Sequence, residues 1–530
     1  MKGSLVQIHY HNRPGGVAAV MEQYARAFRE IAGGTGMCIT VCAKDRKAAG
    51  SSFQRIVNVK ECKYRTFSSA RSFLASAESL RRRLEKIIAD PRLTRPVIIA
   101  GHNLNLCKNA ALAKAFADLA HDFAEQGDEF GFFAVVHDFA EQGRANLMLQ
   151  ARFLERHGIR MRDVLYPAMP NLRYVAVSAS TLYVLRKAGF RACLVPNPVI
   201  APNGRTNAGA CTRGKNVGAH RHIDNRNAVL FYPGRIISRK NHVEALVLAH
   251  IFLSATLVVG EDGTAPADRA LARHLRALCS RYKIAAIFCD KRHEESGNAG
   301  YSHLYRIADA CISTSVLEGF GYGLREPWLY GRAVLGRLPC GTTRNQIPGG
   351  ARLYKRFLVP KEWIDVEALK RRYRKRMRLC FGSRLATGRD GVFSQAFNRE
   401  FVCGNGIDFG CLDIATQCAV FEAVCRSAAL AREWKNAFPG QTRSLAVSWE
   451  RALHLSTAAI VANQRRIKAI HGRAAFALSF AACFGKQRAA PANARPDYRM
   501  IQKYFCNLAR FRLLATPQAP GARHCCTVSP

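Results

Sequence analysis

The chain has 530 residues, with 80 Lys and Arg against 38 Asp and Glu, a formal net charge of +42. Hydrophobic residues make up 48%, enough to bury real cores, so global disorder is excluded. A charge this high raises nucleic acid, an anionic membrane surface and phosphorylated small molecules as partners, without choosing among them.

Met1-Lys2-Gly3 runs into a short apolar segment that a polar loop ends near residue 11, so no secretory signal is expected. No stretch reads as the roughly 18–20 apolar residues of a membrane span. The run at 246–260 is interrupted by His250, Ser254 and Thr256, and 474–484 is too short. The 19 cysteines form no C-x-x-C pair and no Cys/His cluster with zinc spacing. Cys411, Cys418 and Cys425 recur every seven residues, as buried small hydrophobes on one helix face would. This usage fits a reducing cytoplasm better than a disulfide scaffold.

Short β-branched runs stand at 4–10, 38–42, 96–100, 132–136 and 172–178. Amphipathic stretches alternate with them at 16–31, 68–88, 110–126, 145–157 and 180–188. Such alternation predicts a parallel sheet covered on both faces, with ligands at the carboxyl ends of its strands. The pattern breaks over 200–226, a Gly-, Asn- and Arg-rich stretch that reads as a linker or inserted loop. Strand-like runs resume at 228–235, 255–260, 284–288, 309–314 and 332–336, with helical stretches at 241–248, 267–282 and 302–307, predicting a second domain of the same type.

Beyond residue 350 the pattern weakens. Residues 370–378 (KRRYRKRMR) hold seven basic positions in nine, and a helical stretch is expected over 412–434. Residues 441–530 carry 14 Lys and Arg against 2 Asp and Glu, with loop-like Pro- and Ala-rich text. The basic run has three readings: a solvated helix face, attraction to anionic lipid, or phosphate contacts to nucleic acid. HDFAEQG occurs at 121–127 and again at 137–143, too close for a repeat architecture.

Three segments carry chemistry. EGFGYGLRE, 318–326, follows a strand-like run and reads as a glycine-rich turn leading into a helix. Gly319, Gly321 and Gly323 let backbone approach a ligand closely, and the free N–H groups favour a diphosphate. Glu318 and Glu326 can bracket it and accept from sugar or ribose hydroxyls. YPGRIISRKN, 232–241, brings Arg235 and Lys240 to one strand-end loop, where two fixed cations can neutralise a diphosphate leaving group. NRPGGVAAVMEQYARAF, 12–28, opens a helix at Gly15 and Gly16. Asp408 in IDFG has no Gly-rich loop, strand Lys or HRD to make a kinase-type metal site, and reads as structural.

Taken in order, the Gly-Gly loop, GHN (101–103), VHDF (136–139), VPNPV (195–199), GR-x4-K (234–240), VVG (258–260) and E-x7-E (318–326) resemble the GT-B-fold glycosyltransferases of family 4, retaining enzymes with an E-x7-E motif. The resemblance covers about residues 1–345. It implies an α/β fold of two Rossmann-like domains facing a central cleft; the basic C-terminal extension is not part of a minimal family member. The implied bounds are 1–199 for an acceptor-side domain, 200–226 for the linker, 227–435 for the donor-side domain and 436–530 for the extension. It also implies roles. Arg235 and Lys240 contact the donor diphosphate, Glu318 the transferred sugar together with Gly319, Phe320 and Gly321, and Glu326 the ribose. Gly15 and Gly16 border diphosphate and acceptor. His102 lies near the donor sugar, and His137 and Asp138 are acceptor-side candidates. The family pattern continues differently here: Glu326 is followed by Pro327, and the usual Gly-Gly after the next strand is replaced by RLPCGTT, 337–343.

The expected activity is transfer of a hexose from a nucleotide-diphosphate sugar to an acceptor hydroxyl, needing neither metal nor other cofactor. The acceptor is a saccharide, a lipid or a small molecule. Rival readings are a phosphorylase or sugar epimerase on a related cleft, and a basic nucleic-acid-binding protein, against which the absence of any RNA or DNA module counts. The expected location is the cytoplasm, with the basic segments as candidates for attachment to the inner face of the cell membrane.

Overall fold

The structure, a computed structural model, describes residues 2–13, 15–34, 36–43, 54–126, 129–201, 227–289, 302–382, 390–485 and 496–518. The linker expected at 200–226 lies, from residue 202 on, outside the described residues. The chain divides into two compact units. Unit 1 comprises Met1–Pro198, Leu379–Phe381 and Lys468–Cys506; unit 2 comprises Val199–Arg378, Gly382–Ile467 and Asn507–Pro530. Of the stretch expected as a basic extension, Lys468–Cys506 thus packs in unit 1, and the remainder groups with unit 2.

Unit 1 is built on a seven-stranded sheet, β3-β2-β1-β4-β5-β6-β7. The strands are β1 Ser4–His11, β2 Cys38–Ala43, β3 Arg55–Asn58, β4 Val97–His102, β5 Phe130–Val136, β6 Leu172–Ala176 and β7 Ala192–Leu194, and every pairing is parallel. Central strands read as near-continuous apolar runs because helices cover both faces. Every residue of β4 is buried, as are seven of the eight of β1. Side-chain caps fix where helices begin: Ser69 accepts from the Ser72 amide ahead of Ala70–Ile88, and Asn109 accepts from that of Leu112 ahead of Ala110–Asp122.

The returning segment closes unit 1. Phe476, Phe480 and Phe484 of helix Arg473–Phe484 gather around Tyr24, with ring centroids 5.5, 5.3 and 5.6 Å away. A Cys193–Cys483 disulfide ties this helix to β7 across 290 residues of sequence. Spacing did not announce this pair, because folding brings together two cysteines that no sequence pattern relates. A correction concerns length. Thr457–Phe484 is one 28-residue helical stretch that passes for a membrane span by length and composition alone. Its three phenylalanines nevertheless serve the unit 1 core.

Unit 2 holds a six-stranded parallel sheet, β10-β9-β8-β11-β12-β13, and a small antiparallel sheet, β14-β16-β15. The strands are β8 Val229–Tyr232, β9 Thr256–Val259, β10 Ala286–Phe288, β11 Ala310–Ser313, β12 Val334–Arg337, β13 Arg352–Tyr354, β14 Leu358–Pro360, β15 Val402–Cys403 and β16 Gly406–Asp408. The helix expected over 412–434 breaks at Ser427, whose side chain leaves the helical path and caps Ala428–Ala437 by accepting from Leu430. Cys418 and Cys425 lie on the first half, Ile414–Arg426, and Cys411 in the turn before it. The basic run falls on helix Val366–Phe381. Tyr373 and Met377 face the core, Lys370 bonds Glu367, Arg372 bonds Asp413, and Arg371 and Lys375 are exposed. Part of that charge is therefore internal to the fold.

Candidate functional site

In each large sheet the chain order reverses once, between β1 and β4 in unit 1 and between β8 and β11 in unit 2. Loops leaving adjacent strands at such a point run to opposite sides, opening a crevice at the carboxyl ends where ligands bind in open α/β sheets. The sequence motifs fall on these strand ends. GR-x4-K leaves β8, E-x7-E leaves β11, the Gly-Gly loop leaves β1, and His102 ends β4.

In unit 2 the two loops are joined by charge. Lys240 Nζ donates to Glu318 Oε1 at 2.5 Å, and Arg239 Nη1 lies 3.4 Å from Glu318 Oε2. Arg239 also donates to the Leu317 carbonyl at 2.9 Å. The Glu318 side chain is only 9% exposed. Burial pushes its pKa up, but Lys240 and Arg239 outweigh burial and hold the carboxyl below the usual range, so it stays ionised. The backbone beneath is clamped. Tyr232 OH donates to the Lys240 carbonyl at 2.5 Å, Thr314 Oγ1 to that of Asn241 at 2.7 Å, and the Val316 amide to that of Arg239 at 3.0 Å. Arg235 stands elsewhere: it is exposed, and its charge acts on the buried Asp268. Arg239, which the sequence reading passed over, is the second cation on Glu318, beside Lys240.

The glycine-rich turn is held by another residue the sequence reading missed. Arg325 is buried and donates to the carbonyls of Phe320 at 2.5 Å, Gly321 at 3.2 Å and Gln346 at 2.6 Å. Its guanidinium stacks 4.5 Å over the Phe320 ring. Gly321 has φ +83°, a left-handed conformation that glycine adopts at little cost. A Cβ at Gly323 would meet the ring and the carbonyl of Pro233 at 3.4 Å, so the two loops lie next to each other there. The helix after the motif, Glu326–Leu329, is a single turn with Pro327 in its first positions. Glu326 is half-buried and accepts from Tyr305 OH at 3.0 Å. Desolvation raises its pKa; Tyr305 and the charge of Lys240 oppose that without cancelling it.

Beneath the Lys240 loop lies a buried ionic cluster. Arg337 donates through Nε and Nη2 to Glu244 at 2.9 and 2.7 Å, and through Nη1 and Nη2 to Asp408 at 3.0 and 2.8 Å. Asn241, the next residue after Lys240, donates to Glu244 Oε2 at 2.7 Å, and Tyr354 OH to Oε1 at 2.7 Å. Asp408 of the IDFG segment also accepts from the Phe357 amide at 3.0 Å. It braces the fold, as the sequence reading supposed. Arg337, where the family glycines are replaced, is the centre of that brace.

In unit 1, His102 and His137 come together. Gln7 Nε2 donates to the Met21 carbonyl at 2.9 Å, so its Oε1 must accept from His102 Nε2–H at 3.1 Å. Neutral His102 then accepts at Nδ1 from His137 Nε2–H at 3.3 Å. Burial holds both rings neutral, His137 down to about 4 and His102 well below its ordinary value. His9 adds a third neutral ring, down to about 3, with Nδ1 2.9 Å from the His102 carbonyl. Asp138 pairs with Arg144 at 3.0 Å. Gly15 and Gly16 are exposed at the head of helix Gly16–Ile31. At the same strand ends Tyr64 OH accepts from Lys108 Nζ at 2.9 Å and lies 3.0 Å from His11 Nε2, a second cationic and aromatic cluster that the motifs did not announce.

With this geometry in view, the comparisons with known proteins concern the fold. No family model matches the chain. Sucrose-phosphate synthase from Thermosynechococcus elongatus superposes with a TM-score of 0.50 at 15% identity, covering 91% of this chain and 98% of that one. An α,α-trehalose-phosphate synthase (UDP-forming) from Burkholderia xenovorans, in complex with glucose-6-phosphate, gives 0.52 at 11% identity, covering 91% and 99%. The fold is GT-B. In sequence, mannosylglucosyl-3-phosphoglycerate synthase of Petrotoga mobilis is 22% identical over 342 residues, 60% of this chain. The match spans 61% of that relative's length, less than two thirds of it. On the GT-B frame of this chain, the Lys240–Glu318 pair sits at the switch point of the second Rossmann-like unit.

Proposed function

We propose that this protein is a retaining glycosyltransferase of the family 4 type. It moves a hexose from a nucleotide-diphosphate sugar to the hydroxyl of a small phosphorylated acceptor. The observation that carries the reading is the joining of GR-x4-K to E-x7-E through Lys240 and Glu318 at the β8/β11 switch point. Lys240 and Arg239 stabilise the negative charge that develops on the departing diphosphate. Glu318 accepts from hydroxyls of the transferred sugar, and Glu326 from those of the ribose. The acceptor oxygen attacks the anomeric carbon on the face the diphosphate leaves. The bond to the diphosphate oxygen breaks, and the acceptor proton passes to that oxygen. No carboxylate nucleophile is needed, unlike a glycosidase with its pair of carboxyl groups across the bond.

A phosphorylated acceptor is favoured by two similar proteins: the relative named for 3-phosphoglycerate and the solved synthase holding glucose-6-phosphate. Lys108 and His11 around Tyr64 give unit 1 a cationic strand end suited to such an anion. The test is turnover of UDP-, GDP- and ADP-hexoses with phosphorylated acceptors, with product stereochemistry read by NMR. Transfer with retention, lost in Glu326→Ala, is the expected result. Release of hexose only when inorganic phosphate is present would instead indicate a phosphorylase.

A further inference from the structure

Glu326 is fixed from one side by a residue outside the motif. Tyr305 OH donates to Glu326 Oε2 at 3.0 Å, and among the described residues no other hydrogen bond reaches this carboxylate. Tyr305 is 2% exposed on helix Ser302–Ile307. Its ring stacks on Tyr330, with centroids 4.5 Å apart and planes at 10°, and meets the Phe231 ring of β8 edge-on at 5.1 Å. Tyr330 OH is paired with Ser302 Oγ at 3.0 Å, and the Tyr305 carbonyl accepts from Arg332 Nε at 2.9 Å. The phenol is therefore held in ring orientation and in backbone position, and its hydroxyl can do little but address Glu326.

We infer that Tyr305 is a positioning residue for nucleotide recognition, holding Glu326 Oε2 so that Oε1 is the oxygen left to accept from the ribose hydroxyls of a nucleoside diphosphate. This rests on the reading of Glu326 as the ribose-holding carboxylate. A carboxylate free to turn would spend part of its time with neither oxygen presented to the sugar ring. One oxygen anchored by a rigid phenol removes that freedom before the ligand arrives. A purely structural tyrosine would affect stability and the binding of all nucleotides alike. A positioning tyrosine affects the distinction between ribose and deoxyribose.

The experiment is calorimetric binding of UDP, ADP and GDP to the full chain, then of the tightest binder and its 2′- and 3′-deoxy counterparts. Wild type should favour the ribonucleotide by about tenfold or more, the factor that ~1.4 kcal/mol represents. Glu326→Gln should abolish the preference. Tyr305→Phe keeps the ring and its packing and should reduce the preference to under about threefold, the discrimination of one anchored hydrogen bond being removed. Tyr330→Phe, which keeps the stacked ring, should retain it. If Tyr305→Phe does not unfold cooperatively, Tyr305→Met supplies the same readout. Equal preference in wild type and Tyr305→Phe would overturn the inference and leave the ribose reading standing. No preference in wild type, with Glu326→Gln indistinguishable from it, would remove the ribose reading and the inference with it.

Discussion

Lys240 Nζ and Glu318 Oε1 meet at 2.5 Å, and this ion pair ties the loop leaving β8 to the loop leaving β11. It also means that the lysine is engaged before any diphosphate binds. On the proposed reading, an arriving diphosphate would share Lys240 with Glu318 and release the carboxylate towards the sugar. Lys240→Ala should lower turnover by about 10²–10³-fold, the scale on which a preorganised charge partner acts in the transition state. It should also raise the pKa of Glu318, because burial pushes that pKa up and the lysine opposes it. The acid limb of the rate profile should then move to higher pH. Steady-state kinetics across pH checks both effects, and an unchanged limb would show that the pair does not set the charge of Glu318.

The second cation should be Arg239. Arg239 touches Glu318 and the Leu317 carbonyl, whereas Arg235 is exposed. Arg239→Ala should cost about tenfold or more in kcat/KM, and Arg235→Ala no more than about threefold, in line with a surface charge of small energetic worth. Parallel kinetics on the two variants decide between them. The reverse order would return the diphosphate contact to Arg235.

The contrast between these two arginines shows what was legible in the sequence. The central strands were readable because a parallel strand buried on both faces is written as an apolar run: 38–42 and 132–136 lie wholly within β2 and β5. The edge strands β3 and β7 were not, being four and three residues long with no buried position. The glycine motif announced a strand-end loop, but the partner of Glu318 depends on how β8 registers against β11, which spacing does not encode. Arg325 lay inside the motif and was unread for the same reason, since its acceptors are main-chain carbonyls. HDFAEQG makes the limit plain. His121 of the first copy is exposed at a helix end, while His137 and Glu141 of the second are buried.

Acid should destabilise unit 1 through its histidines. Burial lowers His9 to about 3 and His137 to about 4, so the folded state keeps both neutral. In the unfolded chain each takes up a proton below about pH 6.5. The unfolded state thus binds more protons between those limits, and the stability from both rings is present above pH 6.5 and is lost as pH falls towards 4 and then 3. The slope is on the order of 1.4 kcal/mol per pH unit for each group while it lasts. Urea midpoints measured at steps from pH 7 to 4 should fall, and His137→Gln should flatten the curve. A wild-type midpoint unchanged down to pH 4 would contradict neutral buried rings.

The Arg337 cluster makes the last prediction, and it separates bracing from catalysis. Arg337, Glu244 and Asp408 are exposed by 3, 0 and 2% of their side chains, so water cannot replace a lost partner. Asp408→Ala leaves the guanidinium with one carboxylate, Glu244, and strands the Phe357 amide. Breaking a buried pair in this way costs about 3–5 kcal/mol. Asp408→Asn keeps hydrogen-bonding capacity without the charge and should fall between wild type and alanine. The loss should appear in the urea midpoint of unit 2, while nucleotide affinity at low temperature, where the variant remains folded, should change little because Lys240 and Glu318 stay in place. Were Asp408 a metal-holding acid, the pattern would invert: nucleotide binding would collapse in Asp408→Asn, would depend on added magnesium in wild type, and the unfolding midpoint would hardly move.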